Sequence, residues 1–350
     1  MLNICEKFQT NSTAVSCEPY GNGHINATYL VRTQTERYIL QRINRHIFQD
    51  VPGLMRNVEL VTAFLAKKDP DPRHSLRLVP AKDGAAYAEV EGEFYRMYDF
   101  VRDSICLDAP ETDEDFYQSA VAFGSFQRQL ADFPANELSE TIPRFHDTPN
   151  RYRALREAIE KDALGRVASC GTEIEFALAR ENDASVMMKL LAAGELPLRV
   201  THNDTKLNNV MLDAKTRAPL CVIDLDTVMP GLAANDFGDS IRFGANTGAE
   251  DEKDLTKISL SLARYEAFAR GFLEACGQAL TPKEIETLPW GAKLMTLECG
   301  VRFLTDYLQG DTYFRIHRPE HNLDRTRTQF ALVADMEKKW TQMCEIVKKF

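Results

Sequence analysis

The sequence contains no apolar stretch of about 18 residues, the length that a membrane-spanning helix requires. Residues 1–10, MLNICEKFQT, mix polar and apolar side chains and lack the basic start and apolar run of a secretory signal. We therefore expect a soluble, cytoplasmic protein with no membrane partner.

Basic residues are in the minority, since 42 Lys and Arg stand against 52 Asp and Glu and the formal net charge is −10. Binding to a phosphate backbone requires a basic face, so this balance argues against nucleic acid as a partner. The eight cysteines form no Cys-x-x-Cys pair and have no histidine ligands nearby. Reduced thiols are therefore favoured over zinc ligands or disulfides.

The most informative stretch is residues 198–226, LRVTHNDTKLNNVMLDAKTRAPLCVIDLD, where three short apolar segments are separated by polar residues. The apolar segments, 198–201, 210–212 and 220–223, are short and rich in Val, Ile and Leu, which predicts strands rather than surface helices. The polar residues between them are predicted to lie in loops.

These loops carry the residue types that phosphoryl transfer requires. Asp204 lies at the tip of the first loop and is the candidate base for the proton of an attacking hydroxyl. Asn209 and the strand-terminal Asp224 offer oxygen ligands for Mg²⁺, and Lys206 is a candidate to hold the transferred phosphoryl group. A plain polar turn is the alternative, because Asn208-Asn209 is a good turn pair, but a turn requires neither this order nor this spacing.

The segments HNDTKLNN and VIDLD are similar to the catalytic and metal-binding motifs of the aminoglycoside phosphotransferase and choline kinase family. Further segments, GNGHINATYLV, YILQRIN, NDFGDSIR and LECGVRFLTDYLQGDTYF, resemble the N-acetylhexosamine 1-kinase group within that family. The resemblance extends from Gly21 to Trp340. It implies a kinase that uses ATP and Mg²⁺ and has a sugar as its acceptor.

Near the N-terminus the pattern is strand, glycine turn, strand, strand. Gly21 and Gly23 permit a tight turn that can approach a ligand closely, so this turn is a candidate phosphate-covering loop, and a simple hairpin is the alternative. The strand after it offers no lysine to the nucleotide. Alignment with the family puts Gln41 at the contacting position, and Arg42 on the opposite face is the alternative.

The resemblance places the hinge and the adenine contacts around Met97 and Val101, in a strand predicted over residues 93–101. Apolar periodicity and capping residues predict most of the remaining chain to be helical. The predicted helices cover residues 52–67, 113–132, 152–163, 172–194, 255–276 and 288–309.

The segment NDFGDSIR follows the predicted metal strand. The resemblance implies that Asp236 or Asp239 braces the catalytic loop, and that His202 serves the structure of that loop rather than acting as the base. From the residues alone, Asp239 and Arg242 at a helix start could instead form a simple surface pair.

In the family pattern the sugar pocket contains an Arg and a Tyr that match Arg302 and Tyr313. A guanidinium group and an aromatic face suit a polyhydroxylated ring with an acetamido group. A structural salt bridge is the alternative for Arg302. Trp340 is a further stacking candidate, and its alternative is to seal a terminal helix.

A chain of 350 residues is too long for one ordinary core. We predict an α+β, two-lobed, protein-kinase-like fold with an N-terminal sheet lobe over residues 1–102 and a mostly helical lobe over residues 103–350. The predicted function is ATP- and Mg²⁺-dependent phosphorylation of the anomeric hydroxyl of an N-acetylhexosamine. Two alternatives stay open: a kinase for choline, an aminoglycoside or an amino alcohol, and a non-catalytic nucleotide- or sugar-binding protein.

Overall fold

The structure is a computed structural model that describes residues 1–21 and 25–350. Its strands are β1 (Ser16–Pro19), β2 (Ala27–Arg32), β3 (Arg37–Arg42), β4 (Ala88–Val90), β5 (Glu93–Asp99), β6 (Ser104–Ile105), β7 (Arg199–Thr201), β8 (Val210–Asp213), β9 (Pro219–Val222) and β10 (Met229–Gly231). Its α-helices are α1 (Leu2–Cys5), α2 (Val51–Lys68), α3 (Asp113–Gln129), α4 (Thr148–Lys161), α5 (Gly171–Leu178), α6 (Glu181–Ala184), α7 (Val186–Ala192), α8 (Ala233–Gly244), α9 (Leu262–Cys276), α10 (Pro282–Gln309), α11 (His321–Lys338) and α12 (Trp340–Val347).

The chain divides into two compact units. Unit 1 comprises Met1–Cys106, Gln129–Pro143 and Asn209–Pro230, and unit 2 comprises Leu107–Arg128, Arg144–Asn208 and Gly231–Phe350. The lobe boundary after residue 102 stays a prediction. The chain passes from unit 2 to unit 1 between Asn208 and Asn209, within the segment that carries the phosphoryl-transfer motif.

Unit 1 contains an antiparallel five-stranded sheet with the strand order β1-β2-β3-β5-β4. In β3, Tyr38 and Leu40 are buried and the intervening side chains are less so, which is the alternation expected of a strand with one core face. A second antiparallel sheet has the order β6-β8-β9, with Val210 opposite Val222. The three strands predicted between residues 198 and 223 are thereby confirmed as β7, β8 and β9.

Helix α2 confirms the helix predicted over residues 52–67. Asp50 is its N-cap and accepts a hydrogen bond from the Gly53 amide at 3.0 Å. Pro52 lies in the first turn, where its missing N–H costs no helical hydrogen bond. The predicted apolar stripe, Leu54, Val58, Val61 and Leu65, is buried.

Unit 2 is mostly helical and is built around α10. This helix begins with a capping box between Thr281 and Glu284 and ends at Gly310, whose φ of 103° is left-handed. Helix α8 packs very closely against it, because a Cβ on Gly238 would lie 2.2 Å from the Gly291 carbonyl oxygen. The sheet of unit 1 and the helices of unit 2 confirm the α+β class.

The continuous helix predicted over residues 172–194 is wrong. The structure has three short helices there, α5, α6 and α7, with breaks at Arg180 and Ser185. The Ser185 hydroxyl donates to the Asn182 carbonyl at 3.0 Å, the kind of local bond by which Ser and Asn compete with a helix.

The helix predicted over residues 255–276 starts later than expected. Residues 255–257 form a 3-10 turn, and α9 begins at Leu262 after Ser261, whose hydroxyl accepts from the Arg264 amide at 3.3 Å. The serine cap, rather than the apolar periodicity, sets this start. Within residues 1–21 and 25–350, no helix is both long enough and apolar enough to cross a membrane.

Candidate active site

The catalytic loop begins directly after β7 in unit 2. His202 is completely buried, and its ring lies edge-on to Phe123 and Phe126 with centroid separations of 5.6 and 6.0 Å. Its Nδ1 lies 3.3 Å from the backbone nitrogen of Asp204. These contacts agree with the predicted structural role of His202.

Asp236 on α8 holds the start of this loop. Its Oδ2 accepts from the His202 amide at 2.9 Å and from Gln127 Nε2 at 2.6 Å, and its Oδ1 accepts from the Asn203 amide at 2.8 Å. The Thr205 hydroxyl donates to the Asp236 carbonyl oxygen at 2.5 Å. Burial raises the pKa of Asp236, while these hydrogen bonds oppose the rise.

Asp239, one turn further along α8, holds the next part of the loop. Its Oδ2 accepts from the Thr205 amide at 3.0 Å, and its Oδ1 accepts from Arg242 Nη2 at 2.9 Å. Burial alone would raise the pKa of Asp239, but the positive charge of Arg242 outweighs it and the pKa is lowered. Both side chains are about nine-tenths buried, so the surface-pair alternative is wrong, and both acids of NDFGDSIR brace the loop.

Asp204, the candidate base, is less enclosed than the loop around it. Its Oδ2 lies 3.1 Å from Nζ of Lys206, and the two side chains are 24% and 33% exposed. The structure therefore brings together the two residues predicted to act on the transferred phosphoryl group. Their partial exposure leaves surface that a substrate can contact.

The predicted metal ligands lie in unit 1, at one end of the β8–β9 hairpin. The Ile223 amide donates to the Asn209 carbonyl at 2.9 Å, so Asn209 lies opposite the residue that precedes Asp224. Asp224 has a left-handed backbone with φ of 60°, a conformation that costs a non-glycine residue energy and is often found at functional sites.

An amide oxygen and a carboxylate form an oxygen donor set that fits Mg²⁺. The described residues contain no cluster of three or more His, Cys, Asp or Glu that could hold a metal ion. A site with one carboxylate suits Mg²⁺ that is bound together with nucleotide phosphates and water, rather than a closed protein cage.

A buried ion pair in unit 1 was missed in the sequence. Arg96 on β5 and Asp226, two residues after Asp224, are 1% and 3% exposed and form a salt bridge. Asn26 Nδ2 also donates to Asp226, at 2.5 Å, and Arg96 Nε donates to Gln41 Oε1 at 2.9 Å. Burial alone would lower the pKa of Arg96, but the Asp226 carboxylate raises it above its ordinary value.

The sequence contains one weak indication of this ion pair. Arg96 is an arginine within an otherwise apolar and aromatic part of β5, and the antiparallel register sets it directly opposite Gln41. Gln41 Nε2 also donates to the Thr28 hydroxyl at 3.1 Å. The side chain predicted to contact the nucleotide therefore already bonds to two neighbours within the sheet.

The remaining nucleotide candidates are also in unit 1. Gly21 has a φ of 74°, and a Cβ placed on it would meet no atom within 4 Å, whereas Gly23 lies outside the described residues. Met97 and Val101 are buried. The Met97 carbonyl accepts from the Val79 amide at 2.8 Å, and the Val101 carbonyl accepts from the Ser104 hydroxyl at 2.8 Å.

Arg302 and Tyr313, predicted to line a sugar pocket, are neighbours in unit 2. Arg302 Nη2 lies 3.4 Å from the Tyr313 hydroxyl, and Arg302 Cζ lies 5.6 Å from the centroid of that ring. Phe145 and Phe314 lie at similar distances from the guanidinium, 5.2 and 5.3 Å. Among the described residues Arg302 forms no direct ion pair, but its positive charge helps to lower the pKa of the buried Glu298 carboxylate, so the salt-bridge alternative stays open.

The loop that carries Tyr313 is fixed by α10 itself. The Asp306 carboxylate accepts hydrogen bonds from the backbone amides of Thr312, Tyr313 and Phe314 at 2.9, 2.8 and 3.0 Å. Asn322 Nδ2 donates to the same carboxylate at 2.9 Å. The Tyr313 side chain is nevertheless 61% exposed and can meet a ligand.

The structure does not bring Trp340 to this pair. Its indole packs edge-on against Trp290 with centroids 5.0 Å apart, and Lys293 Nζ lies 5.9 Å from the centroid of its ring. Trp290 and Arg302 are more than three turns apart on α10, which is about 18 Å along the helix axis. The contacts of Trp340 fit its alternative, a residue that seals the terminal helix α12.

Comparison with known proteins gives a family and a fold. Residues 16–275 match the model of the phosphotransferase enzyme family. The structure resembles an aminoglycoside phosphotransferase from Alicyclobacillus acidocaldarius (12% identity, 99% of this chain and 96% of that chain, TM-score 0.65). It also resembles a choline kinase from Cryptosporidium parvum (13% identity, 100% of this chain and 98% of that chain, TM-score 0.60). A third similar structure is a spectinomycin phosphotransferase in complex with ADP and spectinomycin (13% identity, 96% of this chain and 92% of that chain, TM-score 0.55). The predicted protein-kinase-like fold is confirmed.

Proposed function

This chain belongs to the phosphotransferase enzyme family, and we propose that it is a sugar kinase that uses ATP and Mg²⁺. In this proposal the γ-phosphoryl group of ATP passes to the anomeric hydroxyl of an N-acetylhexosamine, either N-acetylglucosamine or N-acetylgalactosamine. The product is the sugar 1-phosphate. The observation that carries the choice of acceptor is the pairing of Arg302 with Tyr313.

The roles of the catalytic residues follow from their chemistry. The Asp204 carboxylate accepts the proton of the sugar hydroxyl as its oxygen attacks the phosphorus, and Lys206 stabilises negative charge on the transferred group. The partial exposure of both side chains is compatible with these roles. Asn209 and Asp224 would hold Mg²⁺, which neutralises phosphate charge when it is bound.

The nucleotide is assigned to residues of unit 1. The glycine turn at Gly21 and Gly23 would cover the phosphates, and the segment with Met97 and Val101 would contact adenine. Gln41 lies on the face of β3 where Arg96 and Asp226 form their buried pair, so we expect it to act on the nucleotide together with that pair.

A cationic acceptor is the main rival, since an aminoglycoside phosphotransferase and a choline kinase share this fold. An ammonium group needs carboxylates that are available to it. Beside Arg302, the buried carboxylate of Glu298 already accepts from His146 Nδ1 and the Thr148 hydroxyl, at 2.9 and 2.7 Å. This arrangement favours a neutral acceptor.

A non-catalytic binding protein is the second rival, because no lysine stands at Gln41 on β3. The kinase motif is complete at Asp204, Asn209 and Asp224, and a protein that only bound sugar or nucleotide would need none of the three for chemistry. We therefore favour an active enzyme.

An acceptor panel tests the proposal. ATP consumption in the presence of Mg²⁺ would be measured with N-acetylglucosamine, N-acetylgalactosamine, glucose, galactose, choline, homoserine and an aminoglycoside. The phosphorylated position of any product would be read by NMR. A 1-phosphate of an acetylated hexosamine is the expected product, whereas phosphocholine or a phosphorylated aminoglycoside would contradict the sugar assignment.

Two substitutions separate chemistry from binding. Asp204→Asn should abolish turnover, with ADP affinity within about twofold of the wild type, because only the proton acceptor is removed. Asp213→Asn is the control, since Asp213 ends β8 and pairs with Arg73 at 2.7 Å but has no proposed role in catalysis. Full activity of Asp204→Asn would show that Asp204 is not the base.

A further inference from the structure

A cluster in unit 2 extends the polar surface around Arg302, and we name it the His146 cluster: His146, Arg151, Glu298 and Arg302. Glu298 lies one turn before Arg302 on α10 and is 2% exposed. Its carboxylate accepts from His146 Nδ1 at 2.9 Å and from the Thr148 hydroxyl at 2.7 Å. His146 precedes α4, whereas Arg151 lies within it.

The contact with Glu298 fixes the orientation and the proton of the His146 ring. A carboxylate can only accept, so the hydrogen lies on Nδ1, and in the neutral ring Nε2 is an acceptor. Nε2 is buried and has no hydrogen-bond partner within the described part of the chain. A buried polar atom in this state is destabilising unless something fills the missing bond.

Arg151, in the same cluster, also has a buried nitrogen that makes no hydrogen bond within the described residues. One of its terminal nitrogens donates to the Phe145 carbonyl at 2.6 Å, but its Nε is buried with no partner among residues 1–21 and 25–350. Burial lowers the pKa of Arg151, and the positive charge of Arg302 lowers it further. The two positive charges therefore repel each other, and a ligand oxygen that accepts from Arg151 Nε would supply its missing hydrogen bond.

The charges of the cluster define the ligand that fits. Arg151 and Arg302 are donors only, His146 Nε2 is an acceptor in the neutral ring, and the Glu298 carboxylate is engaged by His146 and Thr148. A hydroxyl can donate to His146, and a carbonyl or carboxylate oxygen can accept from the arginines. An ammonium group would meet the positive charges of Arg151 and Arg302, and the Glu298 carboxylate beside them is already engaged.

We propose that His146, held by Glu298, and Arg151 complete the acceptor site that begins with Arg302 and Tyr313. The site takes a hydroxylated ring that carries a carbonyl-oxygen substituent, and it rejects ammonium groups. This inference rests on the proposed kinase function and deepens it, because it adds two binding residues that the sequence motifs did not indicate. The Tyr313 ring, 61% exposed, is the solvent-facing side of this site.

Two substitutions of His146 test the assignment. In His146→Asn the amide replaces Nδ1 and can still meet Glu298, but nothing replaces Nε2. In His146→Gln the amide reaches the place of Nε2 and the bond to Glu298 is lost. The control is His74→Asn in unit 1, where Nδ1 of a more exposed histidine meets Asp69 at 2.8 Å in the same geometry.

The readout is the affinity for N-acetylglucosamine, measured by calorimetry without ATP, together with ADP affinity and the melting temperature. His146→Asn should weaken sugar binding at least about tenfold, a factor that corresponds to about 1.4 kcal/mol, with ADP affinity unchanged. His146→Gln should bind sugar within about threefold of the wild type and melt at a lower temperature. Wild-type sugar affinity in His146→Asn, or equal losses in both variants, would overturn the proposal.

A second series tests the ligand class with the wild-type protein. We expect N-acetylglucosamine to bind more tightly than glucose, and glucose more tightly than glucosamine, with at least about tenfold between the first and the last. Glucuronate distinguishes a carboxylate from an amide carbonyl as the preferred oxygen. Tight binding of glucosamine or choline would overturn the proposal.

These results separate the inference from the proposed function. If the wild type binds and phosphorylates a different neutral polyol, and His146→Asn loses that ligand, the N-acetylhexosamine assignment fails and the His146 assignment holds. If N-acetylglucosamine is the substrate and His146→Asn binds it normally, the proposed function holds and the His146 assignment fails.

Discussion

The backbone amide of Thr205 donates a hydrogen bond to the Asp239 carboxylate at 3.0 Å. Thr205 directly follows Asp204, so a buried side chain on α8 fixes the residue next to the candidate base. Asp236, one turn earlier on α8, holds the two residues before Asp204 in the same way. The conformation of the catalytic loop therefore depends on two carboxylates of one helix.

Substitution of Asp236 should lower activity more than stability alone explains. In Asp236→Asn an NH₂ group replaces one oxygen, and this donor would face an amide of His202 or Asn203, or the amide of Gln127. We expect a loss of about 1–3 kcal/mol in the free energy of unfolding. We also expect a decrease in kcat of at least about tenfold, because the loop that positions Asp204 is released.

The control for this variant is Asp335→Asn. Asp335 on α11 also accepts from a backbone amide, that of Leu260 at 2.7 Å, and from Lys339 at 2.7 Å, but it does not touch the loop. Urea unfolding and steady-state kinetics at a temperature where both variants are folded would be compared. Equal kcat values for the two variants would contradict a positioning role for Asp236.

The sequence predicted the parts of the fold that depend on local pattern. Helix α2, with its buried apolar stripe, was predicted because the local apolar periodicity determines it. The three-helix break after Leu178 was not, because Arg180 and Ser185 do not disrupt the apolar periodicity that predicted one helix. Local hydrogen bonds of Asn and Ser decided that segment.

The candidate site likewise contains residues that the sequence indicates and residues that it does not. Asp204, Asn209 and Asp224 follow one another in a recognisable order along the chain. Arg96 on β5 and Asp226 in the turn after β9 are 130 residues apart and meet only in the folded chain, so no local pattern pairs them. His146 and Glu298, 152 residues apart, were missed for the same reason.

Arg96 should be one of the most sensitive positions of unit 1. Arg96→Met keeps most of the side-chain length but leaves the Asp226 carboxylate buried without its positive partner, while Asn26 still donates to it. We expect a loss of about 3–5 kcal/mol in the free energy of unfolding, the usual effect of removing one partner of a buried ion pair. Urea denaturation measures it.

The double variant Arg96→Met/Asp226→Leu tests whether the unpaired Asp226 charge causes the loss of stability. If the loss comes from an uncompensated charge, the double variant should be more stable than Arg96→Met alone, with a coupling energy of about 1–3 kcal/mol. Additive effects of the two substitutions would contradict this explanation. ADP affinity, measured in parallel, would report whether the pair also matters for the nucleotide.

Substitution of Tyr313 should affect acceptor binding and substitution of Trp340 should affect stability, although both residues were predicted to bind sugar. Tyr313 is 61% exposed, so Tyr313→Ala should leave the melting temperature nearly unchanged and raise the KM for the acceptor about tenfold. Trp340 packs on Trp290, so Trp340→Ala should lower the free energy of unfolding by about 1–3 kcal/mol, less than for a fully buried Trp. An increased acceptor KM in a folded Trp340→Ala protein would return Trp340 to the sugar site.

The Glu298 carboxylate should make a pH-dependent contribution to stability. Burial alone would raise its pKa, but His146, Arg302 and Arg151 outweigh burial, and the pKa is lowered from its ordinary value of 4.5. A carboxylate with a lowered pKa in the folded state stabilises the protein above pH 4.5, and this contribution is lost as the pH falls through the folded-state value. Glu298→Gln should therefore be less stable than the wild type at pH 7, by about 1–3 kcal/mol.

The difference between Glu298→Gln and the wild type should decrease below pH 4.5, because protonation removes from the wild type the charge that the variant lacks. Chemical denaturation at about pH 7, 5, 4 and 3 would follow it across this window. The control is Glu181→Gln, since Glu181 pairs with Arg156 on the surface, where solvent screens the interaction and the expected effect is below about 0.5 kcal/mol. A stability difference that stays constant down to about pH 3 would mean that the charge of Glu298 contributes nothing and that only its hydrogen bonds to His146 and Thr148 matter.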